Sequence, residues 1–481
     1  MQQFGVPSSP DGARRGGTSA GLVLLYSADF EKLQPAYLLS AHQLYIGRDP
    51  ACAICVPERA VSRQHALVAY VGDRWMLKDL GGANGTMVDG RFIQEIELEH
   101  QHEVRVGDTV FKFVQAGAEL FAGYRMDGEM VAGTPRRSTA LTELAGGSQI
   151  DKIGAQLERI APVELSVIIQ GESGTGKEVV AREIHRLSHR RGPMQAVNCA
   201  AIPANLIESE LFGYKRGAFS GADRDKLGIV AAAHTGTLLL DEIGDMPLEA
   251  QAKLLRVLQS KEVYPLGATS GHKIDVRVVC ATNRDLGRLV KEGKFRGDLL
   301  ARLNEFHLSL PPLRDRKEDI YLLSRALLAR HNFGHMRITF PFMLALVHYD
   351  WPYNVRELEA CLKRAAALSD SDQLEAKHLP ETVREVMESY GSRQSDEPPR
   401  ASSHPSTPPS GEFVVPQVGL PSEHAAPPRR RGQAPTEEEL RALLTQHHGN
   451  VAAVGRELGK ERMQIHRWMQ RYGIDVDEFR A

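Results

Sequence analysis

Cysteine is scarce in this chain, and the cysteines that occur are scattered. There are five among 481 residues, which offers no disulfide framework and fits a reducing compartment. Cys52 and Cys55 form a CxxC pair, but no second pair follows along the sequence. We therefore interpret both as small apolar residues of a strand-rich region rather than as a metal or redox site.

Long apolar runs and a strong charge of one sign are also missing. No hydrophobic stretch approaches the ~18 residues that a membrane-spanning helix needs, and the opening sequence MQQFGVPSSPDGARRGG lacks the apolar core of a secretory signal. The formal net charge is −2, so DNA binding would depend on a local basic surface. We expect a cytoplasmic protein that does not bind membranes.

The chain is too long for one hydrophobic core, and its composition changes along its length. The fold class that we predict is multidomain, with an all-β sandwich, an α/β domain with a helical lid, and an all-α module. The expected segments are a disordered N-terminus (1–20), the β-sandwich (21–114), a linker (115–137), the α/β domain (138–317), the lid (318–385), a flexible linker rich in Pro, Ser and Arg (386–434) and the all-α module (435–481).

Hydrophobic patterning distinguishes the first two domains. Short alternating runs such as 43–46, with a tight turn predicted for Asp-Gly at 89–90, are typical of an antiparallel sandwich. Near-continuous apolar runs at 167–169, 237–240 and 276–279 instead indicate strands that are buried on both faces of a parallel sheet.

A glycine-rich segment follows the first of these buried strands. Residues 171–177, GESGTGK, lie between the strand and a helical pattern, which is the context of a phosphate-binding loop. The glycines let backbone N–H groups converge on phosphate oxygens, and the helix N-terminus adds positive potential. Lys177 is placed to reach the outer phosphates, whereas Glu178 stands where a Ser or Thr usually contacts Mg²⁺.

Two carboxylates follow another apolar strand. Asp241 and Glu242 come directly after the run LLL at 238–240. We predict that Asp241 holds Mg²⁺, directly or through water, and that Glu242 polarises the attacking water. The glycine-rich segment and this carboxylate pair, in this order, predict an enzyme that hydrolyses ATP with Mg²⁺.

These two motifs are part of a longer set that resembles the sigma-54-dependent AAA+ activators. The matching stretches are GESGTGKE (171–178), NCAAIP (198–203), ESELFGYKRGAFSGA (208–222), LLLDEIGDMP (238–247), ATNRDL (281–286), FRGDLLARL (295–303) and WPYNVREL (351–358). The resemblance implies that Arg356, on the lid, senses nucleotide in cis. It also implies an ATP-binding segment made of Gly171, Glu172, Ser173, Gly174, Thr175, Gly176, Lys177 and Glu178.

The same resemblance implies roles for four more polar residues. Asn198 would be a switch residue that hydrogen-bonds Glu242 until the nucleotide state changes, and Asn283 would sense the γ-phosphate. Arg296 and Arg302 would be arginine fingers that reach into the site of a neighbouring subunit. Fingers that act in trans imply a head-to-tail ring of identical subunits, either a hexamer or a heptamer.

The segment 217–222 consists of small residues around one aromatic side chain. An exposed, movable tip needs the glycines on both sides of Phe219, whereas an ordinary turn would bury that ring. In the resembled family this segment is the loop that contacts sigma-54. Two positions depart from the family, Ser220 where Thr is usual and Tyr353 where Gly is usual. The implied sigma-54 contacts are Gly217, Ala218, Phe219, Ser220, Gly221 and Ala222.

Three motifs in the β-sandwich resemble the forkhead-associated (FHA) domain, a reader of phosphothreonine. They are Gly-Arg at 47–48, SRQH at 62–65 and NGT at 84–86. The resemblance implies that Arg48, Ser62, Arg63 and Asn84 converge on a phosphate dianion, with His65 in a structural role. The regulatory partner would be a phosphothreonine protein, for example a Ser/Thr kinase substrate. The alternative is a degenerate interaction module that no longer binds phosphate.

The last segment predicts two helices, with Ile465, Met469 and Tyr472 on one face of the second. The pair resembles the Fis-type helix-turn-helix, whose second helix enters the major groove. The alternative is a helical pair that serves only oligomerisation. The implied DNA contacts are Arg462, Gln464, His466, Arg467 and Arg471.

The combined prediction is an ATP-dependent activator of transcription. It would bind enhancer DNA, form a ring and remodel the closed promoter complex of sigma-54 RNA polymerase through the 217–222 loop, under the control of phosphothreonine recognition. Two other classes stay open: a non-catalytic DNA-bound scaffold whose AAA+ domain serves assembly, and a chaperone-like unfoldase. A measurement of ATPase activity would distinguish the ATP-dependent activator from the scaffold. DNA footprinting of the tail would distinguish the activator from the unfoldase.

Overall fold

The computed structural model describes residues 19–132, 145–393 and 437–447, and six further positions: Val454, Ile465, Met469, Tyr472, Ile474 and Phe479. The chain divides into two compact units, Met1–Pro399 and Arg400–Ala481, and each is described by itself. Among the sequence predictions, the disorder of 1–18, much of both linkers and the five DNA contacts lie outside the described residues. Those DNA contacts are Arg462, Gln464, His466, Arg467 and Arg471.

The first domain is a sandwich of two sheets. One sheet has the strand order β2-β1-β11-β10-β7-β8, extended at its edge by a late strand, β23 (Ser392–Arg393), and the other has the order β4-β3-β5-β6-β9. A short 3₁₀ helix, Phe30–Lys32, follows β1. The strands are β1 (Gly21–Tyr26), β2 (Ala36–Leu38), β3 (Gln43–Gly47), β4 (Ile54–Cys55), β5 (Ala66–Val71), β6 (Arg74–Asp79), β7 (Thr86–Val88), β8 (Arg91–Ile93), β9 (Glu95–Glu97), β10 (Glu103–Val106) and β11 (Thr109–Val114).

Alternating patterning places one side of each strand in the core of the sandwich. Leu22, Ile46 and Phe111 are fully buried between the two sheets. The tight turn predicted between β7 and β8 is confirmed, because Asp89 and Gly90 both have positive φ, 47° and 76°. That geometry matches the twist of a two-residue hairpin.

The second domain is a five-stranded parallel sheet with helices around it, in the order β13-β16-β19-β12-β20. The apolar runs predicted as buried strands became β12, β16 and β19. The first helix, α1, buries a stripe of Ile and Leu residues at helical spacing. The elements are α1 (Ser148–Ile160), β12 (Val167–Gln170), α2 (Lys177–Leu187), β13 (Met194–Asn198), α3 (Ile207–Phe212), β14 (Gly213–Tyr214), β15 (Lys226–Leu227), α4 (Ile229–Ala232), β16 (Thr237–Asp241), a 3₁₀ helix (Ile243–Asp245), α5 (Leu248–Ser260), β17 (Glu262–Val263), β18 (His272–Lys273), β19 (Arg277–Thr282), α6 (Leu286–Lys291), α7 (Gly297–Leu303) and β20 (Phe306–Ser309).

A helical lid follows the sheet, joined to it by the segment Leu313–Asp319, which we call the connector. The connector consists of 3₁₀ turns interrupted at Arg316, whose φ of −130° and ψ of 48° are not helical. The lid elements are α8 (Ile320–Arg330), β21 (Arg337–Ile338), α9 (Phe340–His348), α10 (Asn354–Leu368), β22 (Gln373–Leu374), a 3₁₀ helix (Ala376–His378), α11 (Glu381–Glu388) and β23 (Ser392–Arg393).

Parts of both predicted linkers belong to the folded unit. Within 115–137, a 3₁₀ helix forms at Ala118–Leu120, and Met126 is buried against the lid. Within 386–434, α11 continues to Glu388 and β23 pairs in parallel with β8. The linker prediction is wrong for these residues, because tertiary packing rather than local composition holds them.

One apolar core runs from the β-sandwich into the lid. Leu25, Tyr26 and Val110 of the sandwich are buried in the same cluster as Phe342 and Leu346 of the lid. The sandwich therefore packs on the lid through a cluster separate from its own core, and the two domains are expected to move together.

The second unit contains a small helical core. Its described helix is α12 (Glu437–Gln446), which buries Leu440 and Leu444. Ile465 and Met469 are buried in the same core with Tyr472 at its margin, so the apolar face predicted for the last helix is confirmed. In the described parts of the chain, no helix has the length and apolar character to cross a bilayer.

Candidate functional sites

The glycine-rich segment lies between β12 and α2 at the carboxyl edge of the parallel sheet. Gly174 and Gly176 have φ values of 79° and 104°, in the region that favours glycine. Helix α2 begins at Lys177, so its first N–H groups face this loop. The buried Lys177 donates from Nζ to the carbonyls of Gly171 (2.9 Å) and Glu172 (3.1 Å). This is the geometry of a phosphate-binding loop.

The register of the sheet decides the partner of Asn198. Strand β13 pairs with β16 so that Asn198 stands opposite Asp241. Asn198 Nδ2 donates to Asp241 Oδ2 at 3.0 Å, and its Oδ1 accepts from the N–H of Ala200 at 2.9 Å. In this structure the Asn198 amide therefore bonds to Asp241 and not to Glu242, because the register brings the preceding carboxylate beside it. The switch role of Asn198 stays a prediction.

Glu242 turns towards the glycine-rich segment. Its φ of 48° is left-handed, and its Oε1 lies 3.6 Å from Lys177 Nζ. Oε2 accepts from the backbone N–H of Asn283 at 3.2 Å. Lys177 at the start of α2, Glu242 after β16 and the backbone of Asn283 after β19 thus meet here, with Glu242 held between a cation and a backbone donor.

The lid closes over the same loop through residues that sequence reasoning did not assign. Arg314 of the connector donates from two nitrogens to the carboxylate of Glu172, at 2.6 and 2.9 Å, and this pair lowers the pKa of Glu172. Asn354, at the start of α10, donates to Glu172 (3.2 Å) and to the carbonyl of Ser173 (3.0 Å). The signal for Asn354 was present, since it lies within the matching stretch 351–358.

Three further predicted residues at or near this loop make modest contacts. Arg356 extends from the lid and donates from Nη1 to Ser173 Oγ at 3.3 Å. Glu178, which stands in place of the usual hydroxyl residue, pairs with Arg182 one turn along α2 at 2.6 Å. Thr175 is buried, and its hydroxyl donates to the carbonyl of Glu172 at 2.9 Å.

Of the two predicted finger residues, Arg302 lies away from the glycine-rich loop of its own chain and Arg296 makes a local ion pair. Arg296 precedes α7 and pairs with Asp298 at 2.7 Å. Arg302 is exposed and lines a cavity of about 210 Å³ with Arg190, Arg277 and other residues. Since Arg277 begins β19, this cavity lies at the amino edge of the sheet, opposite the glycine-rich loop.

The 217–222 segment forms an exposed tip. Gly217 and Gly221 have φ values of 81° and 96°, and the N–H of Gly217 donates to the carbonyl of Ala222 at 2.8 Å. Phe219 is 45% exposed and rests edge-on against Tyr214, with ring centroids 5.0 Å apart. The expectation of an exposed rather than buried aromatic tip is confirmed.

The phosphopeptide candidates occupy loops at one end of the β-sandwich. The guanidinium groups of Arg48 and Arg63 are exposed, and neither forms an ion pair with another residue that the structure describes. The Ser62 N–H donates to His65 Nδ1 at 3.2 Å, so His65 Nε2 carries the proton and donates to the carbonyl of Gly85 at 3.1 Å. His65 therefore ties two loops together, which confirms its structural role.

A further hydrogen bond fixes Asn84 in place. Its Nδ2 donates to the carbonyl of Ala60 at 2.7 Å, which joins the loop after β6 to the loop after β4. Cys52 is buried beneath these loops, and its thiol contacts the carbonyl of Arg63 at 3.3 Å. The loops form a fixed cationic end that presents the Ser62 and Arg48 backbones side by side.

Three known families match consecutive parts of this chain. Residues 144–309 match the Sigma-54 interaction domain, residues 314–396 match the AAA+ ATPase lid domain, and residues 44–107 match the FHA domain. The nitric oxide reductase transcription regulator NorR1 of Cupriavidus necator is 40% identical over 395 residues, which cover 80% of this chain and 74% of that protein. The chain belongs to the sigma-54-dependent transcription regulators.

Other members of the family align over a shorter share of their length. The regulatory protein LuxO of Vibrio cholerae and the regulatory protein AtoC of Escherichia coli are each 41% identical to this chain. This sigma-54-dependent regulator spans 59% of LuxO and 64% of AtoC. Among solved structures, NtrX from Brucella abortus in complex with ATP has a TM-score of 0.48 at 28% identity, over 69% of this chain and 70% of that one.

Proposed function

We propose that this regulator is an ATP-driven activator that remodels the closed promoter complex of sigma-54 RNA polymerase. The observation that carries the proposal is the contact between Glu242 and Lys177, which belongs to a loop of phosphate-binding geometry, beside Asp241 at the end of β16. Membership in the family supports the coupling of this site to sigma-54.

Each residue of the site has a separate role in ATP hydrolysis. Lys177 exchanges its carbonyl partners for the outer phosphates of ATP, where its charge offsets the charge of the transferred group. Glu242, fixed by the Asn283 N–H, orients and polarises the attacking water. Asn198 holds the Asp241 carboxylate in one orientation.

The residues fit Mg²⁺, which is usually held by one or two carboxylates together with phosphate oxygens. Asp241 is the carboxylate at the strand end, and its Oδ2 is oriented by Asn198. When bound, Mg²⁺ neutralises charge on the phosphate oxygens. With Glu178 turned to Arg182, Asp241 carries the protein's share of that coordination.

The position of Arg302 supports completion of the site in trans. Arg302 lies at the amino edge of the sheet and is free of ion pairs among the residues that the structure describes. A ring with head-to-tail contacts would bring such an exposed cation to the phosphates of the next subunit. We propose a hexamer or heptamer in which Arg296 and Arg302 act on the neighbour, while Arg356 senses nucleotide in cis.

Three other parts of the chain bind the proposed partners. The exposed Phe219 tip contacts sigma-54, and the cationic end of the FHA domain binds a phosphothreonine protein through Arg48, Ser62, Arg63 and Asn84. The C-terminal module binds enhancer DNA, with contacts in a segment that lies outside the described residues.

The deciding experiment is transcription in vitro with sigma-54 RNA polymerase, with and without ATP, alongside phosphate release by the full chain. Glu242→Gln should abolish both activities, by ~10²–10⁴-fold for loss of a general base. The matched control is Glu249→Gln, an exposed carboxylate at the start of α5, which should change neither. DNA binding without phosphate release from the unaltered chain would favour a non-catalytic scaffold instead.

A further inference from the structure

The connector touches the phosphate-binding loop along one side. Arg314 grips the Glu172 carboxylate with both terminal nitrogens. Two residues on, Arg316 is 2% exposed and donates from Nη2 to the carbonyl of Thr175 at 3.4 Å. A displacement of the connector therefore acts directly on the backbone that surrounds the nucleotide phosphates.

The FHA domain touches the other side of the connector through buried charges. Lys112 of β11 pairs with Glu318, with side chains 1% and 9% exposed. Glu103 of β10 lies 4.0 Å from Lys317 Nζ. Burial raises the pKa of Glu103, but a hydrogen bond from His348 and the charge of Lys317 outweigh it, so that the pKa lies below its ordinary value. Separation of these buried pairs is strongly unfavourable.

Aromatic packing surrounds these charges. Tyr26 stacks on Phe340 of the lid, with centroids 5.8 Å apart, and the Arg105 guanidinium lies 4.9 Å above the same ring. Tyr390, at the end of the lid, donates its hydroxyl to Glu103 at 3.1 Å. Because ion pairs and rings fix the contact together, the FHA domain and the connector behave as one body.

The phosphopeptide loops are tied to this same contact by one carboxylate. Glu58 lies in the loop after β4 that also carries Ser62. It accepts hydrogen bonds from Ser27 Oγ (3.1 Å), the N–H of Asp108 (2.9 Å) and the hydroxyl of Thr109. Ser27 follows Tyr26, and Thr109 begins the strand that carries Lys112, so the loop and the lid contact share two strands.

We propose that the connector couples the phosphopeptide end of the FHA domain to the ATP site, so that each ligand changes the affinity of the protein for the other. The route runs from the Glu58 loop through β1 and β11 to Lys112 and Glu318, and from there through Arg316 and Arg314 to the phosphate-binding loop. The proposal rests on the proposed function, since it requires both ligands to bind. By thermodynamic linkage the two effects are equal in size.

The test is the affinity of the full chain for a fluorescent phosphothreonine peptide, selected from a degenerate library, with and without a saturating non-hydrolysable ATP analogue. We expect the dissociation constant to change by ~5–150-fold, the usual range of allosteric coupling. The reciprocal titration, in which analogue binding is measured with and without peptide, should give the same factor.

Two variants test whether the coupling passes through Lys112 and Glu58. Lys112→Met keeps the aliphatic stem but removes the buried pair with Glu318, and Glu58→Gln replaces an acceptor of three donors with an amide. Both variants should still bind each ligand alone, with the coupling factor reduced towards one. The matched control is Lys32→Met, an exposed lysine of the same domain that pairs with Asp29, which should keep the full factor.

The outcomes distinguish a failure of the coupling from a failure of the proposed function on which it rests. If both ligands bind the unaltered chain and neither changes the affinity for the other, the coupling is absent while the proposed function stands. If full coupling persists in both variants, the route through the connector is wrong. If the chain binds no phosphothreonine peptide, the proposed phosphothreonine binding by the FHA domain is wrong, and the proposed coupling is wrong with it.

Discussion

Asn354 joins three parts of the nucleotide-binding region by one side chain. Its Oδ1 accepts from the N–H of Leu313 at 2.7 Å, while its Nδ2 donates to Glu172 and to the carbonyl of Ser173. The residue is fully buried, and its φ of 54° is one that Asn tolerates better than most residues. A single amide thus fixes the connector and the lid to the phosphate-binding loop.

Asn354→Ala should weaken nucleotide binding about tenfold, because a buried N–H left without its partner costs ~1–3 kcal/mol and 1.4 kcal/mol is a factor of ten. Titration of a fluorescent ADP analogue measures the change. The control is Asn332→Ala, which has a similar φ of 65° but an exposed side chain. Equal losses in the two variants would show that backbone strain, not hydrogen bonding, is responsible.

Arg48 and Arg63 are available to an anionic partner because both lie exposed at the cationic end of the FHA domain. Arg48→Ala should lower the affinity for a phosphothreonine peptide by about 10–100-fold, since a hydrogen bond to a charged group contributes ~1.5–3 kcal/mol. Isothermal titration with phosphorylated and unphosphorylated peptides measures it. Arg74→Ala, on β6 and paired with Glu97, should bind normally; an unchanged affinity in Arg48→Ala would leave the domain as a degenerate module.

At the scale of elements, the exposed tip around Phe219 carries little of the stability. The ring is almost half exposed and contacts Tyr214 at its edge, so its truncation removes little buried area. The hydrogen bond from the Gly217 N–H to the Ala222 carbonyl closes the loop without it. The tip can therefore change its partner without unfolding the domain beneath it.

Phe219→Ala should abolish transcription activation and leave ATP hydrolysis unchanged. An aromatic anchor at an interface is commonly worth ~2 kcal/mol or more, which corresponds to about thirtyfold in affinity for sigma-54. Parallel assays of phosphate release and of transcript yield measure the two effects. Leu227→Ala is the control, since Leu227 lies on neighbouring β15 and is 69% exposed; if it fails equally, the tip has no special role.

Sequence patterns predicted the elements whose structure depends on residues that are neighbours in the sequence. The runs that became β12, β16 and β19 are apolar throughout because both of their faces are buried, and the glycine-rich loop is defined by its neighbours in sequence. The partner of Asn198 depends instead on the register between β13 and β16. Register between distant strands is a tertiary property, so the sequence alone could not show that Asp241 is the partner of Asn198 in this structure.

The burial of the connector is a second feature that the sequence pattern did not predict. Its sequence, LRDRKED, has the charge pattern of a solvated turn, yet Arg316 and Asp319 are 2% and 1% exposed. Asp319 accepts from the N–H of Gly147 at 2.7 Å, and burial beside Glu318 raises its pKa to about 7. Arg316 and Asp319 lie 3.7 Å apart as an ion pair within the connector, but their burial also needs the backbones of Thr175 and Gly147, and no local pattern records those distant partners.

At the scale of the whole molecule, the two halves of the proposed ATP site lie on opposite edges of one sheet. Lys177 and Glu242 are at the carboxyl edge, and Arg302 lines the cavity at the amino edge. A single chain therefore cannot bring its own Arg302 to its own phosphates without refolding. Activity should depend on contacts between neighbours and on protein concentration.

Mixing two inactive variants should restore phosphate release. Glu242→Gln and Arg302→Ala should each be inactive, with a finger worth ~10³–10⁵ in rate, but mixed rings contain some interfaces that pair an intact Glu242 with an intact Arg302. The control mixes Glu242→Gln with Lys177→Ala, whose lesions lie in the same half-site, and should recover nothing. Recovery in neither mixture would contradict action in trans.

The short strand β23 has a protective consequence for the FHA domain. It covers β8 through parallel pairing, and the N–H of Gly391 donates to the carbonyl of Gly90 at 2.6 Å. Without this cover, β8 would be an open sheet edge, which is a template for strand addition between molecules. A protease that removes the chain from Tyr390 onward would thus release the C-terminal unit and, in the same cut, leave a fragment inclined to aggregate.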